Sequence, residues 1–222
     1  MLLKTIAGFL QLTLIMGVLL LAPAGTLRYW QAWIYLAVFL GCSLAITIHL
    51  WRHDRQLLER RLRAGPGAEA RKNQNWIQAM ASICFIALLV IPALDHRFGW
   101  SHLSPATETL GDLMTAIGFF VVHRVFQANP FTAAIIQIAP QQPVISTGPY
   151  SLVRHPMYLG ALILLLGTPL ALGSLWGLLP LIPMTGVLAA RLLDEEKVLT
   201  EKLRGYREYC QTVRFHLVPF IW

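Results

Sequence analysis

The stretch MYLGALILLLGTPLALGSLWGLLPLIPMTGVLAA, from Met157 to Ala190, carries no charge in 34 residues. As one straight helix at 1.5 Å per residue it would run about 50 Å, too long for a single crossing of a hydrocarbon core about 30 Å thick. Pro169, Gly173, Pro180 and Pro183 interrupt it, and Gly173-Ser174 is a natural turn. The spacing therefore predicts two short antiparallel membrane helices that turn near Leu172–Ser174. Gly173 and Gly177 also fit a GxxxG spacing, which permits close helix contact.

Four further apolar runs lie upstream, at Thr5–Ala24, Trp30–Trp51, Trp76–Leu94 and Ala106–Phe126. Each is close to the roughly 20 residues a crossing needs. The whole chain of 222 residues is 56% hydrophobic and 13% charged, against about 45–50% and about 25% for soluble domains. Its mean hydropathy is +0.57. That composition excludes both a water-soluble globule and a disordered chain. The expected fold is an all-α integral membrane protein of about six transmembrane helices. It forms a single membrane domain, with four spans in residues 1–128 and a distinct region at 129–222.

A net charge of +7 and a pI near 9.7 would suit nucleic acid in a soluble chain. Position argues otherwise, because the basic residues gather beside the apolar runs. Arg52–Lys72 holds seven Lys and Arg in 21 residues, so it is expected to be cytoplasmic. Alternating from there, 16 of the 18 basic residues fall on the cytoplasmic side, leaving Arg28 and Arg97 outside. Both termini are then cytoplasmic. The first run also fits a cleavable signal, with Lys4 ahead of Ile6–Leu21 and Ala22-Pro23-Ala24 behind it; charge does not separate the two readings. Trp30, Trp33, Trp51, Trp76 and Trp100 lie near span ends, as an aromatic belt does. Cys42, Cys84 and Cys210 have no paired spacing, and no metal site is expected.

Little of the chain is left outside the bilayer. Arg55–Leu62 reads as a short amphipathic helix lying along anionic headgroups, with no chemistry of its own. Asp194–Cys210 reads as an amphipathic helix weakened at Gly205, and Leu217–Trp222 as a tail docking back at the interface. Asp95-His96-Arg97 reads as a solvated outer turn, His123 as a buried polar side chain, and Arg124 as a snorkelling anchor or a substrate contact. His49, His53, His102 and His216 show no ligand spacing.

Two clusters carry chemistry. Within Asn129–Tyr158, the run Arg154-His155-Pro156-Met157-Tyr158 places Pro156 at a helix start and His155 just before it. The free N–H groups and dipole of that helix make a ready anion site, with Arg154 and His155 as added donors. Tyr158, about one turn further in, can cover an apolar or cationic group. The second cluster is Arg191-Leu192-Leu193-Asp194-Glu195-Glu196, in which Arg191 and Glu195 share a helix face. Acids this close to hydrocarbon are expensive unless paired or bound to a ligand. A hairpin between the clusters sets them side by side in one cytoplasmic pocket. Anion donors, carboxylates and aromatic rings at a lipid boundary suit a zwitterionic, cationic ligand, and S-adenosylmethionine is one such molecule.

Gly148-Pro149-Tyr150, Arg154-His155-Pro156-Met157-Tyr158-Leu159-Gly160 and Glu195-Glu196 resemble the signature of the isoprenylcysteine carboxyl methyltransferase family. Phospholipid N-methyltransferases share much of it. The resemblance spans about Asn129–Trp222, including Gly205-Tyr206-Arg207-Glu208-Tyr209 and Pro219. It implies S-adenosylmethionine as cofactor, with Gln142, Val144 and Ile145 lining its adenosyl part. Tyr150, His155 and Tyr158 would contact it beside Pro156, and Glu195 would hold its amino-acid end. Arg191, with Arg154 nearby, would hold the carboxylate of the methyl acceptor. Met157 stands where family members often have Ser or another small residue.

A carboxylate acceptor is ionised at neutral pH and needs no base. An amine acceptor needs one, and Glu196 or Asp194 is the nearest candidate. The expected activity is methyl transfer to a lipophilic acceptor from the bilayer, preferably an isoprenylcysteine-like carboxylate. The alternatives are phospholipid amine N-methylation, sterol reduction with NADPH, and a non-catalytic membrane scaffold.

Overall fold

The computed structural model describes residues 2–62, 72–132, 135, 138–139 and 141–222. Arg63 and Arg71 of the basic stretch, and Gln137, lie outside the described residues. The chain forms α1 (Leu2–Ala24), α2 (Trp30–His53), α3 (Arg55–Leu62), α4 (Lys72–Phe98), α5 (Pro105–Ala128), α6 (Pro156–Ala171), α7 (Leu181–Lys202) and α8 (Tyr206–Thr212), with 3-10 turns at Gly148–Ser151 and Trp176–Leu178. No strand occurs among the described residues.

Among the described residues, five helices are long and apolar enough to cross a membrane, the last of them counted from Trp176. Their outer faces expose leucines and isoleucines, among them Leu10, Ile83, Leu113 and Ile182, as surfaces in contact with lipid do. The sixth apolar helix, α6, has 16 residues and is therefore about 24 Å long, less than the hydrocarbon thickness. Its second half is largely buried against its neighbours, at Leu164, Leu165, Gly167, Thr168, Pro169 and Ala171. The reversal falls at Leu172–Ser174, where Gly173 takes a left-handed φ of 72°.

Close approach of α5 to α6 comes from glycines that the GxxxG reading missed. A Cβ on Gly111 would sit 2.1 Å from Ala171 N, and one on Gly118 would sit 2.6 Å from Gly160 O. From the other side, a Cβ on Gly167 would meet Gly111 O at 2.6 Å and one on Gly160 would meet Gly118 O at 3.0 Å. These are two pairs of glycines, seven residues apart on each helix, facing one another across an antiparallel crossing. Gly173 makes the turn rather than a helix face, while Gly177, in the 3-10 turn Trp176–Leu178, does give a close contact: a Cβ there would stand 2.7 Å from Pro92 of α4 and from Pro169 of α6.

Helix ends sort into two groups. At the far end, the Tyr29 hydroxyl donates to Leu172 O at 2.6 Å and Gln31 Nε2 to Glu108 Oε1 at 2.9 Å. Asp95, 1% exposed, accepts from Ser101 N at 2.7 Å and from the Ser101 and Ser174 hydroxyls. Asp95 is thus a buried staple between the ends of α4 and α6 rather than part of a solvated turn, because three donors replace its water. At the opposite end Arg60 Nη2 donates to Pro130 O at 2.7 Å and Arg61 reaches Met157. This second end carries the candidate site residues.

Candidate active site

Pro156 occupies the first turn of α6 and His155 stands before it as the N-cap. That local geometry follows from the missing N–H and fixed φ of proline. The backbone donors reserved for an anion are largely taken, however. Arg154 N donates to Phe215 O and His155 N to His216 O, both at 2.9 Å, while Tyr158 N and Leu159 N fold back onto His155 O. The C-terminal tail is therefore strapped along the residues that open α6. It is fastened again where Tyr209 donates to Tyr150 O at 2.7 Å and Arg154 Nη2 to Arg214 O at 2.9 Å.

Opposite the start of α6 lies the end of α7. The Tyr158 hydroxyl donates to Glu195 Oε2 at 2.6 Å, so the juxtaposition expected of the hairpin is realised in a direct bond. Arg191 Nη1 donates to Gln74 Oε1 at 2.9 Å, and Gln74, fully buried on α4, also donates to Asp194. One residue on, Glu196 is paired with Arg154 and lies 2.8 Å from His216 Nδ1.

These groups surround a cavity of about 510 Å³. The loop before the 3-10 turn contributes Gln142, Val144 and Ile145, and the turn itself contributes Tyr150. Arg154, His155, Pro156 and Tyr158 enter from the start of α6, and Arg191 and Glu195 from α7. Each residue expected to hold cofactor or acceptor lines this one space, whereas neither candidate base, Glu196 or Asp194, does. Glu196 is not among its lining; it holds the tail to Arg154. The tail's His216, which has no ligand spacing in the sequence, is its second partner.

Among the described residues, the cavity-lining Arg154 has a buried Nε without a hydrogen-bond partner, and so have two uncharged groups of the wall, His155 Nε2 and the Tyr206 hydroxyl. His155 and Tyr206 are 5% and 4% exposed. Leaving such groups unmet costs about 1–3 kcal/mol each, a cost that a hydrogen-bonding ligand in the cavity would recover. Burial pulls the His155 imidazole down to about 4, with Glu196 opposing and Arg154 and His216 adding to the fall, so it is neutral near pH 7. Burial pushes the Tyr150 hydroxyl up to about 12, although Asn129 Nδ2 donates to it at 3.0 Å. Tyr206 is raised well above its ordinary value, first by burial and then by the Glu196 charge.

Three contributors were not read as functional from the sequence. Asn129 positions Tyr150, and Gln74 positions Arg191. Arg61 comes from the amphipathic α3, whose leucines pack inward: Leu57 and Leu58 are buried with Leu50 and Phe126. Its guanidinium carbon lies 5.2 Å from the centre of the Phe126 ring and Nη1 lies 3.9 Å from Met157 Sδ. Arg61 lines the cavity, so α3 does more than rest on headgroups. Burial, and then the neighbouring Arg191 charge, lower its pKa, opposed by Tyr158 and Glu195.

On its inner flank the cavity is walled by Ile77 and Ala81 of α4 and by Val187 and Leu188 of α7. The site thus joins a polar end, able to hold a charged molecule, to an apolar end between membrane helices.

Residues 106–207 match the phospholipid methyltransferase family. A stretch of 125 residues is 30% identical to the Delta(14)-sterol reductase TM7SF2 of Mus musculus. That match covers 50% of this chain and 30% of the mouse protein, so the chain spans under a third of the length of that curated relative.

Proposed function

We propose, taking the phospholipid methyltransferase match over residues 106–207 as the premise, that this protein transfers a methyl group from S-adenosylmethionine to a lipophilic acceptor from the bilayer. The preferred acceptor is the carboxylate of an isoprenylcysteine-like molecule. One observation carries the reading: the buried, unpartnered His155 Nε2 and Tyr206 hydroxyl share a cavity with Glu195 and three arginines, Arg61, Arg154 and Arg191. A ligand rich in hydrogen-bonding groups and bearing both charges answers that wall. Glu195 takes the ammonium end, Tyr150, His155 and Tyr158 enclose the cofactor beside Pro156, and Gln142, Val144 and Ile145 line its adenosyl part.

The bound cofactor supplies an electrophilic methyl group on a sulfonium. The chain's own work is alignment. Arg191, steadied by Gln74, orients the acceptor carboxylate, with Arg154 held nearby by Glu196. The carboxylate needs no base, being ionised at neutral pH. Ile77, Ala81, Val187 and Leu188 take the hydrocarbon part and exclude water. The 16-to-2 distribution of basic residues supports a cytoplasmic position for this pocket and for both termini.

A second reading, N-methylation of a phospholipid amine, draws on the name of the matched family. It needs a base, and both candidates are engaged elsewhere: Glu196 by Arg154 and His216, Asp194 by Gln74. The mouse relative raises sterol reduction with NADPH as a third.

The test is transfer of a labelled methyl group from cofactor into a total membrane extract, followed by identification of the product. An ester that releases methanol in alkali supports the carboxylate reading. Alkali-stable label on a lipid amine contradicts it. Absence of any transfer, with NADPH bound, favours the reductase. Neither transfer nor binding leaves a scaffold.

A further inference from the structure

Beyond α8 the chain folds back to the level where α6 begins. Phe215 O and His216 O accept from Arg154 N and His155 N, immediately ahead of Pro156. That pairing fixes the tail at the depth where an apolar helix starts, the boundary between hydrocarbon and water. Past it, Leu217 N and Val218 N donate to Trp222 O at 2.9 Å, and Ile221 N and Trp222 N to Val218 O at 3.1 Å. Pro219 has no N–H to satisfy. Leu217–Trp222 is thus a closed hook with four backbone N–H groups met internally, as backbone that faces lipid requires. The Trp222 ring stacks on His216, centroids 5.1 Å apart, and His216 lies 2.8 Å from Glu196.

The hook turns its apolar side chains outward. Phe220 is 89% and Ile221 81% exposed, and Leu152, at the end of the facing 3-10 turn, is 65% exposed. A groove of about 290 Å³ runs between them, with Val213, Phe215 and Pro219 in its lining. Phe220 holds a left-handed φ of 65°, which a bulky side chain disfavours and asparagine or glycine tolerates. The turn alone therefore does not call for phenylalanine. After Glu196 the chain has five Lys and Arg against two Glu, with Arg204, Arg207 and Arg214 exposed. An apolar tip on a basic segment, held level with the start of a membrane helix, fits a lipid interface.

We propose that Leu217–Trp222 is a membrane anchor: Phe220 and Ile221, with Leu152, insert among the lipids where α6 begins, and that contact holds the tail against Arg154 and His155. Both of these line the cavity, so closure of the site depends on the bilayer. The anchor stands on the hook's geometry and goes beyond the methyltransferase reading.

The full chain is placed in nanodiscs of phosphatidylcholine and phosphatidylglycerol. Trp222 fluorescence is taken as the difference between wild type and Trp222→Phe. It is challenged by phosphatidylcholine brominated near the glycerol end of its acyl chains and, separately, by aqueous iodide. The expected result is quenching by the brominated lipid with little by iodide. In parallel, tryptic cleavage after Arg214 is followed by mass spectrometry in wild type, in Ile221→Leu, and in a double variant, Phe220→Asn with Ile221→Ser. Asparagine accepts the left-handed turn, so the double variant keeps the hook's backbone and loses its apolar tip. Cleavage tracks the population of detached tail. It is expected to be roughly tenfold faster in the double variant and unchanged in Ile221→Leu. A merely structural hook predicts the opposite, since Phe220→Asn relieves its backbone. Quenching by iodide alone, the result for a tail in water or one awaiting a protein partner, overturns the anchor. So does cleavage no faster in the double variant than in wild type.

Discussion

Replacing Gly118 by alanine adds one methyl group between α5 and α6, two helix turns or less from the residues that open α6. The new Cβ would stand 2.6 Å from Gly160 O and 2.7 Å from Leu164 N. Ordinary contact begins near 3.4 Å, so the helices must part by about 0.8 Å. Both obstructing atoms are backbone, so no rotamer change relieves the clash. Overpacking of this kind costs about 1–3 kcal/mol, offset by roughly 0.5–1 kcal/mol because alanine is the better helix former. The functional effect is larger than the stability effect. Tyr158 lies two residues from Gly160 on the same helix and must still reach Glu195 on α7, and a displacement near 1 Å at a reacting site can cost about a hundredfold in rate. The assay pairs a thermal melt in detergent with S-adenosylhomocysteine calorimetry. Gly186→Ala is the control, since nothing lies within 4 Å of its added Cβ. Gly118→Ala is expected to lower Tm modestly and weaken binding about tenfold, while Gly186→Ala leaves both unchanged or slightly raises Tm. Equal behaviour of the two variants would refute the claim that the α5–α6 glycine contact sets the position of the site.

Glu196→Gln breaks the Arg154 and His216 pairings that fasten the tail; it should cost about 2 kcal/mol and speed proteolysis beyond Thr212, with less loss of cofactor affinity than Glu195→Gln. Tyr158→Phe leaves Glu195 without its 2.6 Å donor and should weaken S-adenosylhomocysteine binding about tenfold, read by calorimetry. His155 titrates near 4 in the folded protein but near 6.5 unfolded, so stability present above pH 6.5 is lost as pH falls toward 4, by up to about 3 kcal/mol. Melts across that window should be flatter by one proton in His155→Gln, and identical slopes would refute a neutral buried imidazole.

The hairpin and the start of α6 were legible because proline and glycine act locally. Pro156 excludes an amide donor whatever surrounds it, and the uncharged run ending at Ala190 could not cross once. With the turn located, Tyr158 and Glu195 had to meet, and they do. The glycines at 111, 118, 160 and 167 were not legible, because a seven-residue spacing in apolar sequence looks like ordinary composition until the facing helix is known. Arg61 was hidden for a related reason: a basic amphipathic octamer fits a headgroup surface equally well, and only the burial of Leu57 and Leu58 turns it toward the cavity. The tail was legible as an apolar segment docking back, but not its attachment to the start of α6, because that runs through the backbone carbonyls of Phe215 and His216, which leave no side-chain pattern. Glu196 was given a base's role by its position beside Glu195, yet adjacent helix positions point about 100° apart, and this difference sends it to Arg154 and His216.

Equilibrium binding of S-adenosylhomocysteine and of NADPH to the purified protein, in wild type and in Glu195→Gln, tests the central claim most directly. The cavity described here predicts saturable binding of S-adenosylhomocysteine by wild type, its loss in Glu195→Gln with Tm preserved, and no binding of NADPH. Saturable NADPH binding with none of S-adenosylhomocysteine would contradict it.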